Sequence, residues 1–367
     1  MESPRLRLAF VIPTLTVGGS ERVMSLLLNY FAEKNTYDVH LVLLIESSLS
    51  FSLHPNVHVH MPIFGYNNHS RQWATLKTIQ YLRRTIRSIQ PESVLSFGDR
   101  YNAFVILALA GVRTRLLVSN RQSPNISNGW FIDFLNKRVY RYADCIIAQT
   151  QVAKEIFTRK YKTDKITVIG NPIGLPLNIV PESQRENIII NVGRFAEYKN
   201  QELLVKYLKE TNMENWQIYF LGDGPRRAFV ESQTSQLGMS EQVTFMGNVS
   251  DVDQFYSKSK VFAFTSTSEG FPNALAEAMA AGLTCISFDC VTGPSEMIEH
   301  LHNGVLIPVG DDDLYISQLK SLLLDMEKRR LYGENARKKM QSFSKDTVCG
   351  KFEELMVNGV NPSILIK

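Results

Sequence analysis

The feature that most restricts the fold of this chain is the alternation of short apolar runs with longer amphipathic segments. The runs lie at 6–12 less its ends, and at 39–45, 93–97, 115–119, 145–149, 166–169, 188–192, 217–221, 243–246, 260–264, 284–288 and 304–307. Such alternation predicts strands connected by helices, and therefore parallel sheets. Most runs are apolar at nearly every position, which is typical of strands that helices cover on both faces.

A proline-rich stretch interrupts this alternation near the middle of the chain. Residues 171–187, NPIGLPLNIVPESQREN, contain three prolines, and we interpret them as a linker between domains. The 367 residues, 44% of them hydrophobic, suffice for two globular domains. We predict an α/β fold of two doubly wound, Rossmann-like domains that face a cleft, with ligands at the carboxyl ends of the strands. The predicted domains are 1–175 and 176–345, and 346–367 is expected to return as a helix to the N-terminal domain.

The composition disfavours several classes of protein. No apolar run approaches the roughly 18–20 residues that span a bilayer, and the opening MESPRLRLAFVIPT predicts a first strand rather than a secretory signal. The four cysteines form no CxxC pair, which indicates reduced thiols in a cytoplasmic protein. Basic residues are spread over many elements without a recognition motif, so nucleic acid is not expected as a partner.

The charge is unevenly distributed along the chain. Residues 1–180 hold 21 Lys and Arg against 11 Asp and Glu, a net of +10, whereas the remainder holds 19 against 25, a net of −6. Either the basic half meets an anionic surface or substrate, or these charges are simply solvated. Charge alone leaves both interpretations open.

A glycine-rich turn follows the first predicted strand. Gly18 and Gly19 precede a helix that we expect Ser20 to cap. Glycines allow backbone N–H groups to approach a ligand, and a helix N-terminus favours an anion. The spacing is not GxGxxG, which disfavours a dinucleotide, and a turn without a ligand remains the alternative.

Three turns after strands of the second half carry candidate binding residues. Arg194 and Lys199 leave the strand at 188–192 on one loop, where a guanidinium and an ammonium group suit a diphosphate, although they could equally be solvated charges. Gly222 lies in the turn FLGDGP. Asn248 and Val249 follow the strand at 243–246, where the backbone could lie against a nucleobase.

The sequence DVD at 251–253 has the form of a metal-binding pair. It follows Ser250, precedes a helical segment and has no third ligand nearby. We therefore favour helix capping and predict no metal site.

The stretch TSTSEGFPNALAEAMAAG, residues 265–282, predicts a helix that starts at about 272–273, with Pro272 in its first turn and Asn273 as cap. Its first N–H groups would form a second anion site beside the basic loop. Glu277 lies one turn in, where a carboxylate can bind the diol of a ribose, and Glu269 lies where the next sugar would follow. The alternatives are a complement to the helix dipole for Glu277 and a turn residue for Glu269.

At this point EGFPNALAE resembles the E-x7-E signature of the retaining glycosyltransferases of family 4 (group 1), which have the GT-B architecture of two Rossmann-like domains. GGSE is similar to the glycine loop of that family, GRFAEYKN to its diphosphate clamp, and LGDGP and GNVSD to its nucleotide-side turns. AGLTCISFDCVTGPSEMI and NGVLIPVGD resemble the elements that close the second domain. The resemblance covers essentially the whole chain.

The resemblance implies a catalytic set of Arg194, Lys199 and Glu269, in which the two basic residues hold and stabilise a departing diphosphate and Glu269 contacts the transferred sugar. The implied donor-binding set is Gly18, Gly19, Gly222, Asn248, Val249, Phe271, Pro272, Asn273 and Glu277, with Glu277 on the ribose. The family implies front-side displacement, no divalent metal and no cofactor. By family frequency the donor nucleotide is expected to be UDP, with GDP second.

The chain departs from many relatives at 119–125, SNRQSPN, where those relatives carry a histidine or an acidic residue. Asn120 and Arg121 are therefore acceptor-side candidates, together with Asp99 and Arg100 of SFGDR, and ordinary strand-end caps are the alternative. A dedicated general base on the protein is not predicted.

Residues 71–90 predict a basic amphipathic helix, with an apolar stripe of Trp73, Leu76, Ile79, Leu82, Ile86 and Ile89. The stripe could pack on the sheet, or the helix could contact an anionic inner membrane surface. Together with the basic first half of the chain, the resemblance favours transfer of a hexose or N-acetylhexosamine to a lipid-diphosphate (undecaprenyl) saccharide. Such a reaction belongs to bacterial O-antigen or capsule synthesis. The enzyme is then expected to be cytoplasmic and peripheral to the plasma membrane. The alternatives are a soluble or glycolipid acceptor, or a nucleotide-sugar epimerase or binding protein.

Overall fold

The computed structural model describes residues 5–63 and 71–358, and the chain divides into two compact units. The first unit comprises Met1–Pro172 and Lys345–Lys367, and the second comprises Ile173–Ser344. The division falls three residues before the expected boundary at 175. The part of the predicted segment 346–367 that follows residue 358 lies outside the described residues.

The first unit is built on a seven-stranded parallel sheet of order β3-β2-β1-β4-β5-β6-β7. Its strands are β1 (Leu6–Ile12), β2 (Tyr37–Leu43), β3 (Val57–His60), β4 (Ser93–Phe97), β5 (Arg115–Ser119), β6 (Cys145–Ala148) and β7 (Ile166–Val168). Helices on both faces are α1 (Gly19–Glu33), α2 (Arg71–Ile89), α3 (Asn102–Leu109), α4 (Trp130–Val139) and α5 (Gln151–Tyr161). Two apolar cores, one on each side of the sheet, bury its alternate residues.

The second unit is built on a six-stranded parallel sheet of order β10-β9-β8-β11-β12-β13. Its strands are β8 (Glu186–Val192), β9 (Gln217–Leu221), β10 (Val243–Gly247), β11 (Ser259–Phe264), β12 (Thr284–Phe288) and β13 (Val305–Ile307). Its helices are α6 (Gln201–Thr211), α7 (Arg227–Gln236), α8 (Asp253–Lys258), α9 (Asn273–Ala280), α10 (Pro294–Met297), α11 (Asp312–Leu324) and α12 (Met326–Met340). The prediction of parallel α/β sheets is confirmed for both units.

The last described helix, α13 (Lys345–Val357), packs on α1 and β4 of the first unit. Glu353 accepts hydrogen bonds from Tyr30 and Tyr37 and pairs with Lys34 at 2.6 Å. The Ser93 hydroxyl donates to the carbonyl of Met356. The helix therefore completes the first unit although it follows the second in the chain.

The proline-rich stretch is more structured than a linker. Asn171 is buried and accepts hydrogen bonds from Arg121 and Gln149, and Ile173 forms a bridge with Ser344. β8 already begins within it, at Glu186. Buried hydrogen bonds thus hold Asn171 within the first unit, and a backbone bridge holds Ile173 within the second.

Candidate active site

The predicted residues gather at two sheet edges, one in each unit. Strand order reverses between β1 and β4 in the first sheet and between β8 and β11 in the second. Loops that leave such a pair of strands diverge to opposite faces, which opens a crevice at the carboxyl edge of the sheet. Each edge is described separately below.

An ion pair joins two of the predicted catalytic residues in the second unit. Lys199 Nζ lies 2.7 Å from Glu269 Oε1, with the side chains only 14% and 11% exposed. Lys199 is on the loop after β8 and Glu269 on the loop after β11, so the reversal of strand order brings them together. The ammonium also lies 4.8 Å from the ring centre of Phe264.

Backbone contacts hold these two loops side by side. The Thr265 hydroxyl donates to the carbonyl of Lys199 at 2.9 Å, and the Thr267 amide donates to the carbonyl of Tyr198 at 2.8 Å. The Arg194 side chain is exposed, and its backbone carbonyl accepts from Gln201. The loop after β8 therefore presents two cationic groups, the ammonium of Lys199, which its ion pair holds in place, and the exposed guanidinium of Arg194.

The predicted helix after Glu269 is α9, but its cap differs from the prediction. Asn273 is its first residue and Pro272 occupies the N-cap position, so the prediction that Asn273 caps the helix is wrong. Proline has no N–H to donate, which suits a position before the first helical turn. Glu277 lies in the second turn, where the Tyr256 hydroxyl donates to it at 3.5 Å. Phe271 is buried.

Sequence reasoning missed the residues that support this loop from behind. The Thr292 hydroxyl donates to the carbonyl of Glu269. Gly293 has φ of +105°, and a Cβ there would overlap the ring of Pro272. The tripeptide TGP after β12 was visible as a turn signal, but its partner in the chain was not.

Three glycines, Gly193, Gly222 and Gly247, lie side by side at the carboxyl ends of β8, β9 and β10, a row of backbone without side chains that we call the seam. Gly193 donates to the carbonyl of Leu221, and Gly222 donates to that of Gly247 at 2.7 Å. Gly222 has φ of +127°, and a Cβ there would overlap the carbonyl oxygen of Gly193. This close approach requires glycine at position 222 whether or not a ligand binds.

The nucleotide-side turn and the DVD sequence follow the seam. Asn248 is exposed and Val249 is half-buried against the core. Asp251 accepts a hydrogen bond from the amide of Gln254 at 3.4 Å, next to the first residue of α8, Asp253. Within residues 5–63 and 71–358, no group of three or more His, Cys, Asp or Glu side chains could hold a metal ion.

In the first unit, the turn after β1 carries Gly18 and Gly19. The N-cap of α1 is Gly18, so the prediction that Ser20 caps the helix is wrong and Ser20 lies inside its first turn. Glu21 folds back so closely that a Cβ at Gly18 would overlap its carboxylate. Burial raises the pKa of Glu21.

Asp99 and Arg121 meet at the ends of β4 and β5. The Arg121 amide donates to Asp99 Oδ2 at 2.9 Å. Burial raises the pKa of Asp99 to about 6, although amides of the β5 loop bond to it. Burial also lowers the pKa of Arg121 to about 9. Its guanidinium lies 3.9 Å from the ring centre of Phe97.

Asn120 is used differently from its neighbour. Its side chain is buried, accepts from the Tyr140 hydroxyl at 2.8 Å and from Asn102, and donates to Tyr161. These contacts form a polar network between the sheet and the helices that cover it. Asn120 thus organises the interior of the unit rather than lining the edge.

A cavity of about 150 Å³ lies at this edge of the first unit, and we call it the first-unit cavity. It is lined by Glu21, Phe97, Asp99, Arg100, Tyr101 and Arg121, among others. Of the four acceptor-side candidates, Asp99, Arg100 and Arg121 therefore share one cavity. Glu21 joins them, and sequence reasoning gave it no role.

One helical layer of the first unit exposes large apolar side chains. In α2, Leu82 and Ile86 are buried, whereas Trp73 is 60% exposed, so only part of the predicted stripe packs on the sheet. Arg71, the first residue of α2, has a side chain outside the described set. In α4, Trp130 is 82% exposed and Phe134 lies beside Arg138. α3 packs between these helices. None of the described helices is long and apolar enough to cross a membrane.

Two family models match the chain. Residues 17–175 match the model described as Glycosyltransferase Family 4, and residues 178–339 match the model described as Glycosyl transferases group 1. The two matches together include nearly every candidate residue named above.

Relatives and solved structures agree with these matches over more than nine tenths of the chain. A Campylobacter jejuni α-1,4-N-acetyl-D-galactosaminyltransferase, named for a GalNAc-GalNAc-diNAcBac-PP-undecaprenol substrate, is 26% identical over 92% of this chain and 94% of its own. The amylovoran biosynthesis glycosyltransferase AmsD of Erwinia amylovora is 24% identical over 92% and 96%. Anabaena HepE in complex with UDP shares the fold with a TM-score of 0.79 over 96% and 100%, at 17% identity.

Proposed function

This chain belongs to the group 1, family 4 glycosyltransferases, and on that premise we propose a specific reaction for it. The enzyme transfers a hexose or N-acetylhexosamine, with retention, from a UDP-sugar to an undecaprenyl-diphosphate-linked saccharide. The product serves in bacterial O-antigen or capsule synthesis.

The observation that carries the donor side is the ion pair between Lys199 and Glu269. It places the basic loop after β8 within 2.7 Å of the first glutamate of the EGFPNALAE motif. An ammonium has three donors, so Lys199 retains two for phosphate oxygens after binding Glu269. Arg194, exposed on the same loop, adds a bidentate fork.

The proposed chemistry follows from where charge develops. As the glycosidic bond to the nucleotide breaks, negative charge grows on the leaving diphosphate, and Arg194, Lys199 and the first N–H groups of α9 stabilise it. Glu269 contacts hydroxyls of the transferred sugar, and Glu277 binds the ribose. Neither a divalent metal nor a cofactor takes part.

A thermal-shift panel of UDP, GDP and ADP tests the donor assignment. At 100 times its Kd a nucleotide should stabilise the fold by about 2.7 kcal/mol. We expect UDP to shift wild type and Arg337→Ala, an exposed arginine of α12, but to shift Arg194→Ala much less. Equal shifts in the two variants would refute the diphosphate clamp, and no shift with any nucleotide would refute the donor assignment.

The acceptor is assigned from the relative in C. jejuni, whose name specifies a PP-undecaprenol saccharide. Such an acceptor is embedded in a membrane, so the enzyme must work at its surface. Trp73 of α2 and Trp130 of α4 offer amphipathic rings for that interface, and Lys137 and Arg138 supply positive charge in the last turn of α4. We propose that the layer of α2, α3 and α4 binds the anionic inner surface of the plasma membrane.

Co-sedimentation with liposomes tests the membrane assignment. Binding should rise with the fraction of anionic lipid and fall in Trp130→Ser, while Leu331→Ser, an exposed apolar residue of α12 in the second unit, should bind as wild type does. Binding that ignores anionic lipid would contradict the proposal and favour a soluble acceptor. Turnover of the nucleotide sugar without any acceptor would instead favour an epimerase.

A further inference from the structure

Arg185 is a buried arginine of the second unit to which the proposed chemistry gives no role. It directly precedes β8, and only 6% of the residue is exposed. Its guanidinium donates to three backbone carbonyls, those of Val180 at 2.9 Å, Ser259 at 3.1 Å and Ala281 at 2.7 Å. Burial lowers the pKa of Arg185 to about 10, so the group stays charged at neutral pH. One fixed cation therefore joins the proline-rich stretch, the start of β11 and the end of α9.

The contact with Ala281 places this cation at the C-terminus of α9. Ala281 is the C-cap of the helix. The turn that ends the helix satisfies the carbonyls of Ala278 and Met279 with its own amides, and Arg185 binds that of Ala281. A positive charge at a helix C-terminus also complements the helix dipole. Arg185 therefore anchors α9 at the end opposite to the proposed diphosphate site.

The same end of α9 lies against the backbone of α12. Gly282 follows the helix with φ of +75°, and a Cβ at Gly333 of α12 would overlap the carbonyl oxygen of Gly282. A cavity of about 230 Å³ is lined by Arg185, Gly282 and Gly333, among others. Four of the eight residues of α9 are alanine, whose short side chains form shallow ridges that resist sliding weakly. The end of α9 therefore has room to shift once the guanidinium is removed.

The position of α9 matters at its other end. Eight residues with a rise of about 1.5 Å each span about 12 Å, and a helix of this length moves as a nearly rigid rod. Its first N–H groups and Glu277 belong to the proposed donor site. A misplacement of about 1 Å in a binding group can lower a rate by about 10²-fold. A shift at the anchored end would therefore reach the nucleotide.

We propose that Arg185 is a positioning residue for the donor. It fixes the axial position of α9, and thereby places Glu277 and the first N–H groups of the helix against the nucleotide. It acts from the far end of the helix and through backbone contacts alone. The inference rests on the proposed function, because the nucleotide it concerns is the donor of that reaction.

Calorimetric titration with UDP and hydrogen exchange of the α9 amides test this role. The variants are Arg185→Met, which keeps the stem without the donors, and Arg185→Lys, which restores the charge. The matched control is Arg329→Met. Arg329 is 5% exposed and likewise binds two carbonyls at the end of a helix, those of Leu322 and Leu323 in α11. Its ion-pair partner Glu182 is changed to Gln in the same control, so that no carboxylate is left unpaired.

Both Arg185→Met and the control lose a buried arginine that binds the end of a helix, so a merely structural role predicts equal UDP affinity in the two. We expect Arg185→Met to bind UDP at least about tenfold more weakly than the control and wild type. Arg185→Lys should recover part of this loss. Exchange at the backbone amides of 276–281 should be faster in Arg185→Met than in the control. All measurements are made at a temperature at which circular dichroism shows the variants to be folded.

Equal UDP affinity in Arg185→Met and the control would overturn the proposal, and so would unchanged exchange in α9. If Arg185→Met fails to fold, Gly333→Ala takes its place, because its Cβ would displace Gly282 from the side of α12. Its control is Gly350→Ala in α13, where the nearest atom to a new Cβ, the Tyr30 hydroxyl oxygen, is 4.0 Å away. Weaker UDP binding in Gly333→Ala than in Gly350→Ala would then support the proposal, and equal binding would overturn it.

The wild-type titration separates this inference from the proposed function. If wild type does not bind UDP, the donor assignment is refuted and the inference falls with it. If wild type binds UDP and the variants bind it equally well, the donor assignment stands and the role of Arg185 alone is refuted.

Discussion

The ion pair between Lys199 and Glu269 gives a quantitative prediction, because its burial sets its energy. Both side chains are nearly buried at 14% and 11% exposure. Removing one partner of a buried pair costs about 3–5 kcal/mol, since the other charge is left poorly solvated. Some solvent reaches both ends here, so we expect about 3 kcal/mol for Lys199→Met or Glu269→Gln alone. The double variant leaves no stranded charge, and we expect a coupling energy of about 2 kcal/mol.

Urea unfolding can measure this cycle in the second unit selectively. Trp216 is the tryptophan of that unit and is only 2% exposed, so a red shift of its emission reports the loss of the second core. The matched control is the cycle of Lys339→Met and Glu299→Gln. That pair has the same 2.7 Å separation but is 34% and 56% exposed, so its coupling should be clearly smaller.

The outcome separates burial from mere proximity. If the two cycles give equal coupling, or if the losses of Lys199→Met and Glu269→Gln simply add, the argument from burial is refuted. The same variants also test function. Lys199→Met should lower kcat by about 10²-fold or more if the ammonium stabilises the leaving diphosphate, whereas the control variants should leave kcat unchanged.

Four further results are expected. Glu277→Ala should weaken UDP binding about tenfold by removing the ribose contact, and unchanged affinity in calorimetry would refute that role. Gly222→Ala should lower the free energy of unfolding by about 3 kcal/mol or more, because strain at positive φ adds to overlap of the new Cβ with Gly193. Its control is Gly238→Ala, at a glycine with φ of +69° and open space around it, which should cost only about 1 kcal/mol. Equal losses would contradict the argument from overlap. Burial raises the pKa of Asp99 to about 6, so its contribution to stability is complete below its ordinary pKa of about 4 and is lost as pH rises through 6. The difference in the free energy of unfolding between wild type and Asp99→Asn, measured in urea, should change over this range by up to about 1.4 kcal/mol per pH unit, and a constant difference would refute the shift. Transferase activity should persist in EDTA, and a strict requirement for Mg²⁺ or Mn²⁺ would refute the metal-independent reaction.

Local sequence was sufficient for most of the fold because buried parallel strands are apolar along their whole length. β4, β5, β9 and β12 have the predicted bounds, and β1 spans the whole of 6–12, of which the prediction left out the ends. β3 was missed, since its sequence VHVH is short and half polar. His58 and His60 of this edge strand both contact His40 of the neighbouring strand β2. The His58 ring stacks on that of His40, and a ring nitrogen of His60 forms a hydrogen bond with it. Apolar and polar residues do alternate in VHVH, but only over four residues, the shortest length at which alternation indicates a strand.

The residues of the candidate site could be predicted only where a sequence motif directly follows a predicted strand. Lys199 and Glu269 could be placed at one edge from their positions after strands, but their direct contact depends on the order of strands in the sheet. The hydrogen bond from Thr292 to Glu269 and the close approach of Gly222 to Gly193 join segments that are distant in the chain, and no local pattern predicts them. The hydrogen bond from Arg121 to Asn171 was equally hidden, because a sequence shows a guanidinium group but not its partners.

The return of α13 to the first unit has a consequence for how the chain folds during synthesis. The N-terminal unit of a multidomain protein usually folds first as it leaves the ribosome. Here the partners of Tyr30, Lys34 and Ser93 in α13 emerge only after the 172 residues of the second unit, Ile173–Ser344. Part of the apolar face of the first sheet therefore stays uncovered until α13 has been synthesised. The second unit can reach its native state before the first is complete.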